Sequence, residues 1–169
     1  MTGCRITGNQ ATKQGGGLHV LSGTVRLKNC EIVDNFAFDY DNIGNNNYGG
    51  GICLYGGQVY MDSVVVAGNI SREDGCGIYV RESGAKLHLT GYINIFNNFK
   101  TETIGSHGEN NNVYLANTSS KLDIQKGFDA LSYIGVIKNG PSDFTTGLGT
   151  NGSIANFASD KGDLYVVPI

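Results

Sequence analysis

The chain has 169 residues, among them 26 Gly and 18 Asn against two Pro, no Trp and 16% charged residues, with a formal net charge of −3. So many residues that favour turns, with so few helix formers, exclude a helical bundle or coiled coil. Hydrophobic residues at 40% are too many for a disordered chain. No apolar run approaches the roughly 20 residues of a membrane helix, and a net charge of −3 without a basic patch argues against a nucleic-acid partner.

Met1 is followed by Thr2-Gly3-Cys4, without the charged and apolar stretches of a secretory leader. Ile6 and Asn9 read as the tail of a truncated repeat, so the chain is expected to be a segment of something longer. The first full repeat opens at Gly15-Gly16-Gly17-Leu18, turns at Ser22-Gly23, alternates over 24–27 and closes on Ile32 and Asn35. A second copy runs from Gly49-Gly50-Gly51-Ile52 through Gly56-Gly57 and 58–61 to Val66 and Asn69. The third runs from Gly75-Cys76-Gly77-Ile78 through Ser83-Gly84 and 86–89 to Ile95 and Asn98. A worn fourth begins at Asn110-Asn111-Asn112-Val113, turns at Ser119-Ser120 and alternates over 121–124. Asn9 to Asn35 and Gly51 to Gly77 both span 26 residues, and insertions near 36–48 and 99–111 lengthen two copies at one position.

A fixed unit of short strands and Gly/Asn corners predicts an all-β solenoid, a right-handed parallel β-helix of about 26-residue coils. Coils occupy 1–125, and 126–169 form a C-terminal β cap with strand material at 128–137, 156–160 and 163–167. Alternation predicts three inward columns. One holds Leu18, Ile52, Ile78 and Val113. A second holds Val25, Val59, Leu87 and Leu122, and a third Cys4, Cys30, Val64 and Ile93. Asn9, Asn35, Asn69 and Asn98 are expected to form a corner ladder, with left-handed backbone at the asparagines themselves. The uncapped end implies either preceding coils of a longer parent chain or self-association through that end.

The pattern Cys30-x-Ile32-x-x-Asn35-x-Ala37, then Gly49-Gly50-Gly51-Ile52 and Gly57-x-Val59-x-Met61, resembles the parallel β-helix repeats of large bacterial surface proteins. It is similar to the polymorphic outer-membrane and adhesin-like families and to Gram-positive gut-bacterial wall proteins. The stretches Asn112-Val113-Tyr114-Leu115, Tyr133-Ile134-Gly135-Val136 and Phe157-Ala158-Ser159-Asp160 resemble the closing segment of such domains in clostridial surface proteins. The resemblance implies the pectin-lyase-like architecture and an extracellular or cell-surface location, attached to cell wall or outer membrane through parts outside this chain. It supplies no shared catalytic residues.

The outer face of the first strand aligns His19, Cys53, Tyr79 and Tyr114 in one column and Leu21, Tyr55, Arg81 and Ala116 in the next. By analogy with β-helix proteins that act on polysaccharides, His19, Tyr55, Tyr79, Arg81 and Tyr114 form a candidate glycan-binding platform; the plainer reading is tyrosines packing on a pleated surface. The insertions leave from one corner and bring their tips together. Asp39, Asp41 and Asn42, followed by Gly44, are candidate Ca²⁺ ligands, but they lack the EF-hand spacing, and a solvated loop is the expectation.

A lyase or hydrolase would need clustered carboxylates, whereas Asp34 aligns with Gly8, Gly68 and Asn97, and Asp62 with Lys28 and Thr90. Only Asp39, Asp41, Glu102 and Glu109 in the insertions could gather. Cys4 and Cys30 share a column within bridging range that suits buried thiols equally well, and all four cysteines are expected to be reduced. His19, His88 and His107 read as scattered surface histidines. The expectation is a noncatalytic structural or adhesive surface module without a cofactor, Ca²⁺ aside. Glycans or a host surface are its candidate partners; a glycan-binding module is the first rival and a polysaccharide-degrading enzyme the second.

Overall fold

The computed structural model describes residues 1–39, 46–103, 106, 108–140, 142–151, 153 and 156–161. The chain opens with β1 (Arg5–Thr7) and β2 (Gln10–Ala11). The first full repeat holds β3 (Leu18–Val20), β4 (Thr24–Val33) and β5 (Phe36–Ala37). The second holds β6 (Ile52–Leu54), β7 (Gln58–Ala67) and β8 (Ile70–Ser71), and the third β9 (Ile78–Val80), β10 (Lys86–Phe96) and β11 (Phe99–Lys100). After them come β12 (Glu109–Asn110), β13 (Val113–Leu115), β14 (Leu122–Phe128), β15 (Tyr133–Lys138), β16 (Thr145–Thr146), the short α1 (Leu148–Asn151) and β17 (Phe157–Ser159).

The fold is all-β, with one large parallel sheet curled around the core. Its strand order is β1-β4-β7-β10-β15-β13-β9-β6-β3. It turns back on itself at β15, whose first residues pair with β10 and whose last pair with β13. A second sheet runs β2-β5-β8-β11, parallel, with β12 added antiparallel.

The register follows the repeat. Leu18, Ile52, Ile78 and Val113 are direct partners, as are Val25, Val59, Leu87 and Leu122. Cys30, Val64 and Ile93 form the third column. Ile52, Ile78, Val59, Leu87, Val64 and Ile93 are fully buried. Each repeat thus buries its apolar face on its neighbours, and none would bury it alone.

The second and third inward columns lie on one long strand with a bend in each repeat. In β4 and β7 a single left-handed residue, Asn29 (φ 50°) or Ser63 (φ 57°), swings the chain between the two inward runs. In β10 Gly91 (φ 64°) does so with one extra residue.

The asparagine corner exists, with one correction. The left-handed residue is the one before each ladder position, namely Gly8, Asp34, Gly68 or Asn97, and Asn9, Asn35, Asn69 and Asn98 keep ordinary backbone. The turn is spent one residue early, which leaves each asparagine side chain to point along the stack. Asn9 Nδ2 donates to Asn35 Oδ1 (3.0 Å), Asn35 Nδ2 to Asn69 Oδ1 (3.0 Å), and Asn69 Nδ2 to Asn98 Oδ1 (2.8 Å). The backbone N–H of each donates to the same oxygen.

The ladder also explains the last glycine of each Gly-rich triplet. A Cβ at Gly51 would lie 2.6 Å from Gly77 O and 3.0 Å from the Asn69 side chain.

Beyond residue 125 the parallel pairing continues through Leu122 with Thr145, Ile134 with Phe157 and Val136 with Ser159. Phe128 stacks on Phe157 (6.3 Å), which Phe144 meets edge-on (5.2 Å) over the last layer of the core. The predicted 163–167 strand lies outside the described residues. Among the described residues no helix is long and apolar enough to cross a membrane.

Candidate functional site

On the first-strand face the predicted column is present, with His19 paired to Cys53, Cys53 to Tyr79 and Tyr79 to Tyr114. It is not an open row of rings. Tyr48, from the first insertion, stacks on Tyr79 with centroids 4.3 Å apart, and Tyr114 stacks on its other side at 5.8 Å. Tyr79 is only 8% exposed, and Cys53 is fully buried. Burial, aided by Tyr48, pushes the Tyr79 hydroxyl up to about 12, and burial raises Tyr48 and Tyr114 as well. The three hydroxyls therefore act at neutral pH as neutral hydrogen-bonding groups.

In the next column the Arg81 guanidinium lies 4.2 Å over the Tyr55 ring, a cation–π contact that occupies one face of that ring. His19 is exposed, and partial desolvation holds it below the ordinary histidine value. The structure thus joins Tyr79 with Tyr114 and Tyr55 with Arg81, while the buried Cys53 separates His19 from Tyr79.

At the insertion corner, Asp41, Asn42 and His107 lie outside the described residues; Asp39 lies within them. Among the described residues no three His, Cys, Asp or Glu side chains converge as a metal site would require. The two insertions do meet. Arg72, just after β8, donates to Asp39 O (3.2 Å) and Glu102 O (3.4 Å) and lies over the Phe38 ring (5.1 Å). Beneath this clamp Lys100 Nζ donates to Asp74 Oδ1 (2.9 Å). Burial would lower Lys100, but the Asp74 bond and the charges of Asp74 and Glu73 hold it above the ordinary lysine value. Asp74 also accepts from Asn111 Nδ2, whose Oδ1 takes the Gly75 N–H. These carboxylates are spent on pinning the insertions to the stack.

The outer face of the long strands carries a constellation that sequence reasoning missed. Arg26, Tyr60, His88, Asp123 and Thr146 are successive register partners. The Arg26 guanidinium lies 4.6 Å over the Tyr60 ring, whose opposite neighbour His88 stacks at 4.1 Å and 6°. His88 Nδ1 is 2.6 Å from Asp123 Oδ2, and Nε2 is 3.3 Å from Gln58 Oε1, which also accepts from Tyr60 Oη (2.8 Å). Asp123 further accepts from Gln125 Nε2 and Thr146 Oγ1. His88 is 8% exposed, which corrects its reading as a surface histidine.

Asp123 fixes Nδ1 as the donor, the arrangement by which a carboxylate orients a histidine for proton transfer. Here Nε2 meets Gln58. A cavity of about 290 Å³ adjoins, lined among others by Arg26, Lys28, Tyr60, Asp62 and Gln125. Lys28 Nζ donates to Asp62 Oδ2 (2.6 Å), and that bond holds the Asp62 carboxyl below the usual range. The signal for this column was present, since the same alternation that aligned the first-strand residues aligns these. Its members are chemically unlike, so no repeated residue type marked it.

Comparison with protein-family models, curated proteins and solved structures finds no match to this chain.

Proposed function

We propose that the chain is a right-handed parallel β-helix module of a bacterial surface protein, noncatalytic and extracellular, serving as a stiff stalk or adhesive segment. The observation that carries this reading is the amide ladder. Its side-chain bonds run along the stacking direction at one corner of every repeat and are buried from Asn35 to Asn98. Sliding or peeling one repeat from the next would break several buried bonds at once, which is the mechanical property a stalk needs. The outer aromatic and charged side chains support the same reading, because most are engaged with each other along the stack. Among the described residues, strands β1, β2 and β3 end their sheets with one edge unpaired. In this reading those edges take further coils of a parent chain or a second copy.

One observation favours glycan binding as a second reading. Tyr79 and Tyr114 are parallel to within 6°, and Tyr114 and the Arg81–Tyr55 pair remain partly open to solvent beside them. Flat rings next to a guanidinium suit the faces and hydroxyls of a sugar. A glycan array probed with the purified chain, with and without Ca²⁺, separates the two. Silence together with mechanical unfolding that weakens in Asn69→Ala supports the stalk. Saturable binding that Tyr114→Ala abolishes establishes the second reading, and calcium-dependent binding that survives this change moves the site to the insertions.

A further inference from the structure

Cys4, the residue just before β1, stands opposite Cys30 in the neighbouring parallel strand β4. Arg5 is the partner of Glu31, and the Glu31 N–H donates to Cys4 O at 2.9 Å. Their Sγ atoms are 2.7 Å apart. Non-bonded carbon atoms rest at about 3.5–4.0 Å and bridged sulfurs at about 2.05 Å, so the pair stands between a bond and ordinary contact, inside the contact distance. Adjacent strands, about 4.8 Å apart, also fall inside the roughly 4.4–6.8 Å Cα separation of bridged cysteines.

The two sulfurs are unequal. Cys4 is partly exposed at the end of the stack, whereas Cys30 is 1% exposed beneath it. We propose that Cys4 and Cys30 are an oxidisable dithiol which a small disulfide such as oxidised glutathione converts into an intramolecular bridge, tying β1 to β4.

The reaction is thiol–disulfide exchange. Cys4 loses its proton to solvent and its thiolate attacks one sulfur of the small disulfide, whose S–S bond breaks and releases one thiol. Cys30, also deprotonated, attacks the Cys4 sulfur of the mixed disulfide and releases the second thiol. Two protein thiols are oxidised by two electrons, and the small disulfide is reduced to two thiols.

Burial pushes Cys30 up, but in the reduced pair the Cys4 hydrogen bond and backbone bonds outweigh it and hold this thiol below its ordinary value, while the same bond and burial raise Cys4. In the mixed disulfide Cys4 has no thiol proton to donate, and its backbone N–H, 3.5 Å away, is the donor that still faces the Cys30 sulfur. Cys53 and Cys76 differ, each pushed up to about 12 by burial, with Cys76 Sγ directed at Glu73 O (3.3 Å).

The test is to incubate the folded chain with oxidised glutathione, quench in acid, denature and count alkylated thiols by mass. The expected count falls from four to two, with the loss of two hydrogens and a single cross-linked peptide pair joining residues 4 and 30. Cys30→Ser is expected to stop at a stable glutathione adduct on Cys4. Cys4→Ser is expected to keep its three thiols, so the pair of variants identifies the order of attack even if one of them folds poorly. Four free thiols in the oxidised wild-type chain, a bridge involving Cys53 or Cys76, or disulfide-linked dimers as the only product would each overturn the proposal.

Discussion

The repeats up to β11 and the closing segment from β14 to β17 solve the same problem in different ways. In the repeats one residue type recurs at each rung, and every asparagine after Asn9 both gives and receives along the stack. In the closing segment single, unlike residues do that work. The ladder continues from Asn98 to Asn112 and ends on Asp160, whose carboxylate accepts from Asn112 N (2.6 Å) and Nδ2 (2.7 Å). The ladder is polarised, since every amide donates toward the next rung. Its last asparagine therefore needs a partner that accepts two bonds and owes none onward, and a carboxylate is that partner. Among the described residues the core is likewise met beyond the repeats by the rings of Phe128, Phe144 and Phe157, with Leu148 beside them. Repetition distributes stability over neighbours, whereas termination concentrates it in individual side chains.

The sharpest way to break this comparison is at a central rung. Asn69→Ala removes an acceptor used by Asn35 N and Nδ2 and a donor used by Ile32 O, Ala67 O and Asn98 Oδ1. The orphaned groups are buried, and at about 1–3 kcal/mol for each group left unsatisfied the change is expected to cost about 3 kcal/mol or more. Urea unfolding should show a lower midpoint at unchanged slope. A loss below about 0.5 kcal/mol would mean that the ladder is ornament and that the apolar columns carry the stack alone.

Tyr48→Ala sharpens the contrast between stack and insertion. The ring covers Tyr79, and removing it is expected to cost about 1–2 kcal/mol through the lost stacking pair and area. It should also bring the Tyr79 hydroxyl down from about 12 toward the ordinary tyrosine value of 10.0. An ultraviolet titration of the phenols checks this directly. An unchanged titration would show that Tyr79 owes its burial to the stack and not to the insertion.

These contrasts also show where the amino-acid pattern was informative. The inward columns were readable because alternation has period two and the unit is constant, so one register fixes all the others. The left-handed bends at Asn29, Ser63 and Gly91 were hidden because the three residues share no side-chain chemistry, only a tolerance of positive φ in that position. Asn112 was legible as a worn copy of the glycine triplet but not as a rung, since only 14 residues separate it from Asn98 where the unit spans 26. Of the candidate site, the Tyr79–Tyr114 alignment could be read from register, whereas Tyr48 lies in an insertion, where no register applies. Arg26, Tyr60, His88 and Asp123 obeyed the register but varied in kind, and a search for repeated residue types passes over them.

The ladder's end supplies the smallest and most selective effect. Asp160→Asn replaces an acceptor facing two donors with a group that brings donors of its own, and it is expected to cost about 1 kcal/mol. The loss should be local: hydrogen exchange at β17 and at Asn112 should quicken while β4 and β7 keep their protection.

The pH dependence separates the wild-type chain from this variant. Burial holds the Asp160 carboxyl above its ordinary value of 3.8, outweighing the two Asn112 bonds that would lower it. A carboxyl raised in the folded state binds its proton more tightly there than in the unfolded chain. Its contribution is fully present below the ordinary value and is lost as pH rises through the folded one. Unfolding measured from acid to neutral pH should therefore show a declining contribution in the wild-type chain that Asp160→Asn lacks. A difference between the two chains that stays constant across this range would show that the carboxylate is as well solvated by its two donors as by water. Burial at the ladder's end would then carry no electrostatic penalty.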